Sequence, residues 1–180
     1  MKKLYGLMTF VSLAGLVASF WQLLDKLELL KHPASNLTCN LNSVFNCSSV
    51  LKSHQYEVFG FPNAMIGIIM FTFFLTIAVV LLTGSHLVNR VALACQGLAL
   101  FMLGFMLWFL FQSTYRINAI CLFCLIIGPS VLLINVVLLR HNQKLMPAWL
   151  QKFMTRGGDI FVWSVLFLGV ALAIALKFAS

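Results

Sequence analysis

Five long apolar stretches divide the chain: Leu4–Leu24, Ala64–Leu82, Val91–Phe111, Ile117–Leu139 and Ile160–Phe178. Each is close to the roughly 20 residues that an α-helix needs to cross about 30 Å of hydrocarbon. The first four contain no Asp, Glu, Lys or Arg. The fifth has only Lys177, at its edge, where a lysine can snorkel to the interface. The pattern predicts an all-α integral membrane protein, a four-helix transmembrane bundle plus a fifth transmembrane helix. Residues 1–139 form the expected core, with an outer loop over about 25–63. Residues 140–159 form a basic loop, and 160–180 the fifth helix. The first stretch starts Met1-Lys2-Lys3, as a secretory signal would. It runs well past the 7–15 residues of a signal's apolar region, so it is read as a retained helix. Charges inside a membrane mark ion paths, and their absence argues against an ion-coupled transporter.

Composition agrees. Of 180 residues, 62% are hydrophobic and 9% charged. A soluble domain carries about 25% charged residues. An ordinary soluble enzyme, a disordered chain and a fibrous protein are therefore excluded. The net charge of +8 would suggest a nucleic-acid surface in a soluble protein. Here it sets topology. With the N-terminus inside, Lys2, Lys3, Arg90, Arg140, Lys144, Lys152 and Arg156 lie in the cytoplasm. Lys26, Lys31, Lys52, Arg116 and Lys177 lie outside, as do Asp25, Glu28 and Glu57. The inner segment Arg140–Asp159 reads as an anchor touching anionic lipid.

In this topology four of the five cysteines share the outer side. Cys39 and Cys47 sit in the long loop, and Cys121-Leu122-Phe123-Cys124 lies near the outer end of the fourth helix. That side is the oxidising one if disulfides form. Cys121 and Cys124 are spaced to share a helix face. Asn118 is the candidate N-cap, which places Cys121 in a first turn favouring a thiolate. Val44, Cys47 and Leu51 have helical spacing, so a short amphipathic helix holds Cys47 above the bilayer. The Asn and Ser residues before it leave Cys39 on a more mobile stretch. Two dithiols, one wet and one dry, make an electron relay through mixed disulfides. Static staples are the bland alternative, but a disulfide within one helix turn is strained. Zinc is another, but the first pair is spaced too widely for a structural site. Cys95 reads as a buried free thiol.

A relay ending in the membrane needs an acceptor that dissolves there. The chain has no haem-attachment motif and no dinucleotide fingerprint, which leaves a lipid-soluble quinone. A site for it is apolar, with a few polar groups for the carbonyls. Candidates are Phe59, Phe61, Asn63 and Phe123, with Phe111 and Tyr115 beside them. Capping of the second helix is the other reading of Asn63.

The chain resembles the vitamin K epoxide reductase family over the four-helix core. The likeness rests on Cys39, Cys47-Ser48-Ser49-Val50-Leu51-Lys52-Ser53, Phe59-Gly60-Phe61-Pro62-Asn63 and Cys121-Leu122-Phe123-Cys124. Ser53 stands where the family carries a serine. The resemblance implies a bundle around a quinone, ubiquinone or menaquinone or one like vitamin K, covered by the cysteine loop. It implies that Cys39 exchanges with a thioredoxin-fold partner, that Cys47 passes electrons to Cys121, and that Cys124 faces the quinone and forms a transient adduct with it. Asn63 matches the family's donor to a quinone carbonyl. Vertebrate members have a tyrosine four residues after the second active cysteine, where this chain has Gly128. That departure sets apart vertebrate-type reduction of vitamin K epoxide, the alternative activity. Several bacterial relatives carry a fused thioredoxin-like domain after a fifth helix, whereas this sequence stops at Ser180. The implied partner is a separate periplasmic dithiol oxidase similar to DsbA. The expected location is the bacterial inner membrane with the active cysteines on the periplasmic side. The endoplasmic reticulum is the alternative, although Asn46-Cys47-Ser48 would then be a glycosylation acceptor beside an active cysteine. A non-enzymatic membrane scaffold stapled by disulfides is the reading from another class.

Overall fold

The computed structural model describes residues 1–179. Five helices are long and apolar enough to cross a membrane, as expected. They are α1 (Lys2–Lys31), α3 (Asn63–Leu82), α4 (Asn89–Gln112), α5 (Cys124–His141) and α7 (Gly158–Ala179). Two short helices, α2 (Cys47–Leu51) and α6 (Ala148–Thr155), lie in the connections. The protein is an all-α integral membrane protein.

In the bundle α1 packs on α3 and α5, and α5 packs on α4. Helix α7 leans on α5 from outside. Close approach of α1 and α3 depends on small residues. A Cβ at Gly15 would run into the Phe71 ring, and one at Gly67 into Ser19. Small residues at such crossings let backbones approach, which drives helix association where lipid removes the hydrophobic difference. Many large apolar side chains remain exposed, among them Phe10, Val17 and Trp21 on α1 and Phe161, Leu168 and Leu172 on α7. In water such a surface would aggregate; in a bilayer it meets acyl chains.

Two core clusters fill the interior. One joins Met8, Phe71, Phe74, Cys95, Ala99, Ile134 and Leu138. The other joins Leu29, Cys39, Cys47, Leu51, Tyr56, Ala64, Phe109, Cys121 and Cys124. Four cysteines thus share one end of the bundle, and Cys95 is buried apart from them.

Two boundaries differ from expectation. Helix α1 continues past Leu24 to Lys31, so Asp25, Lys26 and Glu28 are helical rather than loop residues. The fourth spanning helix starts at Cys124 rather than Ile117. Asn118 is not its N-cap. It adopts a left-handed conformation (φ 55°) after a widened turn over Ser113–Ile117. Asparagine is among the few residues that tolerate this. Cys121 therefore precedes the helix instead of sitting in its first turn.

Candidate redox site

The polar residues of the loop hold the first cysteine pair in place. Asn42 Oδ1 accepts from the amides of Val44 and Phe45 at 2.9 and 2.7 Å, closing a local turn. Asn46 caps α2 by accepting from the Ser49 amide at 3.0 Å. Helix α2 therefore begins at Cys47, and Val44 lies outside it. Asn40 bonds Ser48 twice, accepting from its amide (3.1 Å) and donating to its hydroxyl (2.7 Å). That clasp sets Cys39 beside Cys47, and the two form a disulfide. Cys39 is buried rather than wet. The asparagines that suggested a loose segment instead saturate the backbone groups of a fixed one.

A backbone clip joins the loop to the second pair. Phe45 and Ile120 form an isolated parallel bridge. The Ile120 amide donates to the Val44 carbonyl at 2.7 Å, and the Asn46 amide to the Ile120 carbonyl at 3.1 Å. Each bridged segment is followed directly by a cysteine. Cys121 Sγ consequently lies 3.3 Å from Cys47 Sγ. The bridge is the physical reason why residues 120–123 are not helical: Ile120 spends its backbone groups on the loop.

Cys124 sits one turn deeper. Its amide donates to the Cys121 carbonyl at 3.0 Å, which keeps the two side chains together. Both are free thiols. Gln22, buried on α1 with 4% exposure, donates from Nε2 to Cys121 Sγ at 3.6 Å and to Cys124 Sγ at 4.0 Å. Hydrogen bonds from Cys124, from the Phe123 and Cys124 amides and from Gln22 hold the Cys121 thiol below its ordinary range, against the effect of burial. At the outer edge, Asp25 Oδ2 stands 3.4 Å from Cys39 Sγ.

A cavity of about 70 Å³ opens beside Cys124. Its lining includes Ser19, Gln22, Tyr56, Asn63, Phe105 and Met106. A second, apolar cavity of about 240 Å³ between α4, α5 and α7 shares Cys124, Met106 and Leu110 with the first. The Asn63 amide donates to the Gln55 carbonyl at 2.8 Å. Tyr56 is held over the cavity from above, where Lys26 Nζ stands 5.6 Å from its ring. Lys26 also donates to the Leu51 carbonyl at 2.7 Å and pairs with Glu57 at 2.9 Å, so one lysine on α1 fastens α2 and the turn that follows it. Burial pushes the Tyr56 hydroxyl well above its ordinary range, so it is a neutral donor.

Of the residues singled out by sequence, Cys39, Cys47, Cys121, Cys124 and Asn63 come together at this end. Phe59 and Phe61 stack on each other with ring centroids 6.2 Å apart, and both are exposed. Phe123 lines an outer groove with Phe10 and Trp21. Ser53 donates to the Val50 carbonyl at 2.7 Å, bracing α2. None of these four lines the cavity beside Cys124. Phe111 and Tyr115 lie against each other with ring centroids 5.0 Å apart, both exposed. Sequence reasoning passed over Gln22, Tyr56, Asp25 and Lys26. Gln22 did carry a signal, a carboxamide inside an otherwise apolar span.

The comparisons agree with this geometry. No curated protein matches the chain. The model of the Vitamin K epoxide reductase family matches residues 6–139, from the start of α1 to the end of α5, which takes in all four clustered cysteines and the whole bundle around the cavity. The chain belongs to the vitamin K epoxide reductase family.

Proposed function

We propose that the protein is a quinone-dependent thiol oxidase that reoxidises a thioredoxin-fold partner outside the cytoplasm. Family membership supports a membrane thiol–disulfide oxidoreductase in general. The carrying observation for the finer reading is the row of sulfurs: a Cys39–Cys47 disulfide, Cys121 Sγ 3.3 Å beyond it, and Cys124 next in line at a cavity.

The chemistry follows the row. A reduced partner attacks Cys39, Cys47 leaves as a thiolate, and the partner's second thiol then releases Cys39 and carries away the new disulfide. Cys39 departs as a thiolate 3.4 Å from Asp25 Oδ2, which is placed to take the proton of the partner's second thiol. Cys47 next attacks Cys121 within an oxidised Cys121–Cys124 pair, giving a Cys47–Cys121 disulfide and a Cys124 thiolate. Cys39 attacks Cys47, restores the outer disulfide and frees Cys121. Two electrons have then moved inward, and the result is the arrangement described above: outer pair oxidised, inner pair reduced.

The cavity fits a quinone head. It is largely apolar, touches Cys124, and contains buried polar atoms with no partner in the protein on Ser19, Tyr56 and Asn63. A quinone bound there accepts two electrons and two protons, leaving hydroquinone and a Cys121–Cys124 disulfide. Gln22 donates hydrogen bonds to both sulfurs in a site lined by no charged side chain. The apolar walls keep bulk water from the reacting thiols.

The excess of basic residues in the connections opposite the cysteines supports an orientation with the cysteine end on the oxidising side. In an endoplasmic reticulum lumen Asn46-Cys47-Ser48 would be a glycosylation acceptor beside an active cysteine, and for that reason we propose a bacterial inner membrane, with a periplasmic partner similar to DsbA. The test is consumption of a soluble quinone by the purified protein with a reduced thioredoxin-fold partner. Turnover should require both. Wild-type rates in Cys124→Ala would refute the assigned order.

A further inference from the structure

The cavity beside Cys124 holds a hydrogen-bond donor with nothing to donate to. Tyr56 is 1% exposed, and its hydroxyl has no hydrogen-bond partner in the protein. Buried hydroxyls are normally satisfied, because leaving one unpaired destabilises the fold. Two other cavity-lining groups share this condition, but each has a ready explanation. Ser19 lies in the middle of α1, where a serine hydroxyl can turn to the carbonyl of the preceding turn. Asn63 has its amide nitrogen on Gln55, so its unpaired atom is the acceptor Oδ1.

Tyr56 has neither escape. Its phenol oxygen stands at the end of a rigid ring, out of reach of its own backbone. The ring is fixed by Lys26 on one side and Phe109 on the other, with the Phe109 centroid 6.4 Å away. The Ala64 amide approaches the phenol oxygen without closing a hydrogen bond. An amide can only donate, so the phenol's own proton stays unassigned. Gln22 is committed to the two sulfurs. Besides Cys124, helix α5 lines this cavity with Ile127 and Val131, neither of which carries a polar side-chain atom.

We propose that Tyr56 is a substrate-binding residue whose phenol donates a hydrogen bond to a ring oxygen of the quinone held beside Cys124. Asn63 Oδ1 complements it as an acceptor once a ring oxygen has become a hydroxyl. The inference rests on the quinone reading above and adds which side chain recognises the oxygen.

Tyr56→Phe removes one oxygen and keeps the ring with its Lys26 and Phe109 contacts. Detergent-solubilised wild type and variant are compared without quinone and in titrations with a short-tailed ubiquinone and a short-tailed menaquinone, read by thermal shift. Without quinone the variant should melt at the wild-type temperature or higher, because an unpaired buried hydroxyl has been removed. Its affinity for quinone should fall about three- to tenfold, the worth of one neutral hydrogen bond. Reduction of the Cys39–Cys47 disulfide by dithiothreitol should keep its rate. Equal quinone affinity in the two proteins overturns the proposal. So does a lowered melting temperature without quinone, which would make the hydroxyl structural. If wild type itself shows no quinone-dependent shift, the quinone reading fails and this one with it. An equal shift in both proteins leaves the quinone reading standing and overturns only the role of Tyr56.

Discussion

Gln22→Leu is the sharpest probe of how the inner thiols are activated. Leucine nearly matches glutamine in volume and keeps the helix, so the change removes an amide and little else. The amide reaches two sulfurs, at 3.6 and 4.0 Å. Hydrogen bonds to charged groups contribute about 1.5–3 kcal/mol, and contacts this long belong at the lower end of that range. One pKa unit corresponds to about 1.4 kcal/mol, so the loss is worth about one unit on Cys121. The sign is fixed by which form the bond favours. Gln22 donates, which stabilises the thiolate, so removing it raises the pKa and leaves roughly tenfold less thiolate near neutral pH. The assay is the rate of Cys121 modification by a small thiosulfonate across pH, read by peptide mass spectrometry in a Cys39→Ser/Cys47→Ser background. The midpoint of the profile should move up by about one unit. An unchanged profile would show that Gln22 merely fills space. Gln22→Glu should move the midpoint further, because a carboxylate repels the thiolate at the same position.

Cys39→Ser with quinone present should accumulate a Cys47–Cys121 disulfide, since the sulfur that frees Cys121 is gone; a Cys47–Cys124 species on non-reducing peptide maps would reverse the order of the inner pair. Cys39→Ser should lose the mixed disulfide with the partner, checked by trapping on non-reducing gels. Lys26→Met should loosen the loop, because the buried Leu51 carbonyl loses its donor at a cost of about 1–3 kcal/mol. Glu57 is well exposed, so loss of that pair adds little. Limited proteolysis between residues 32 and 60 should quicken while the spanning helices stay intact. Asn135→Leu should lower the melting temperature of the whole bundle, because Asn135 donates to the Ala99 and Val131 carbonyls at 2.9 Å each and accepts from Gln96 across the α4–α5 contact.

The spanning helices and the four cysteines were legible because each leaves a local signal. Runs of about 20 apolar residues have few alternatives in a bilayer, and cysteine spacing is written in the chain. Asn63 was also legible, as the residue following Pro62 at a helix start. What escaped depends on contacts between distant segments. The helical reading of Ile117–Phe123 was reasonable from composition. It fails because Ile120 bonds to Val44 and Asn46, some 75 residues earlier. The exposure expected of Cys39 fails for a related reason. Asparagine is frequent in loops because its side chain replaces missing backbone partners, and here Asn40, Asn42 and Asn46 each do so. Tyr56 left no mark, since one tyrosine in a polar loop predicts neither its burial nor its missing partner.

The extension of α1 beyond the predicted span ties these points together. Ser19, Gln22, Asp25 and Lys26 recur at helical spacing, so one face of the helix presents them in order of depth. Ser19 reaches the cavity, Gln22 the inner sulfurs, Asp25 Cys39, and Lys26 the loop and Tyr56. At 1.5 Å per residue, this stripe covers about 10 Å along the helix axis. Over that distance the surroundings pass from charged groups at the loop to a carboxamide at the inner thiols and then to an apolar cavity. A thiolate is stabilised by cations and hydrogen-bond donors and disfavoured by carboxylates and apolar walls. The same helix thus gives the sulfurs different polar neighbours, Asp25 for Cys39 and Gln22 for Cys121 and Cys124. Had α1 ended at Leu24, as its hydropathy suggests, Asp25 and Lys26 would lie on a flexible loop, with nothing to fix them relative to Gln22. The two or so turns that α1 adds beyond Leu24 connect the membrane anchor to the chemistry.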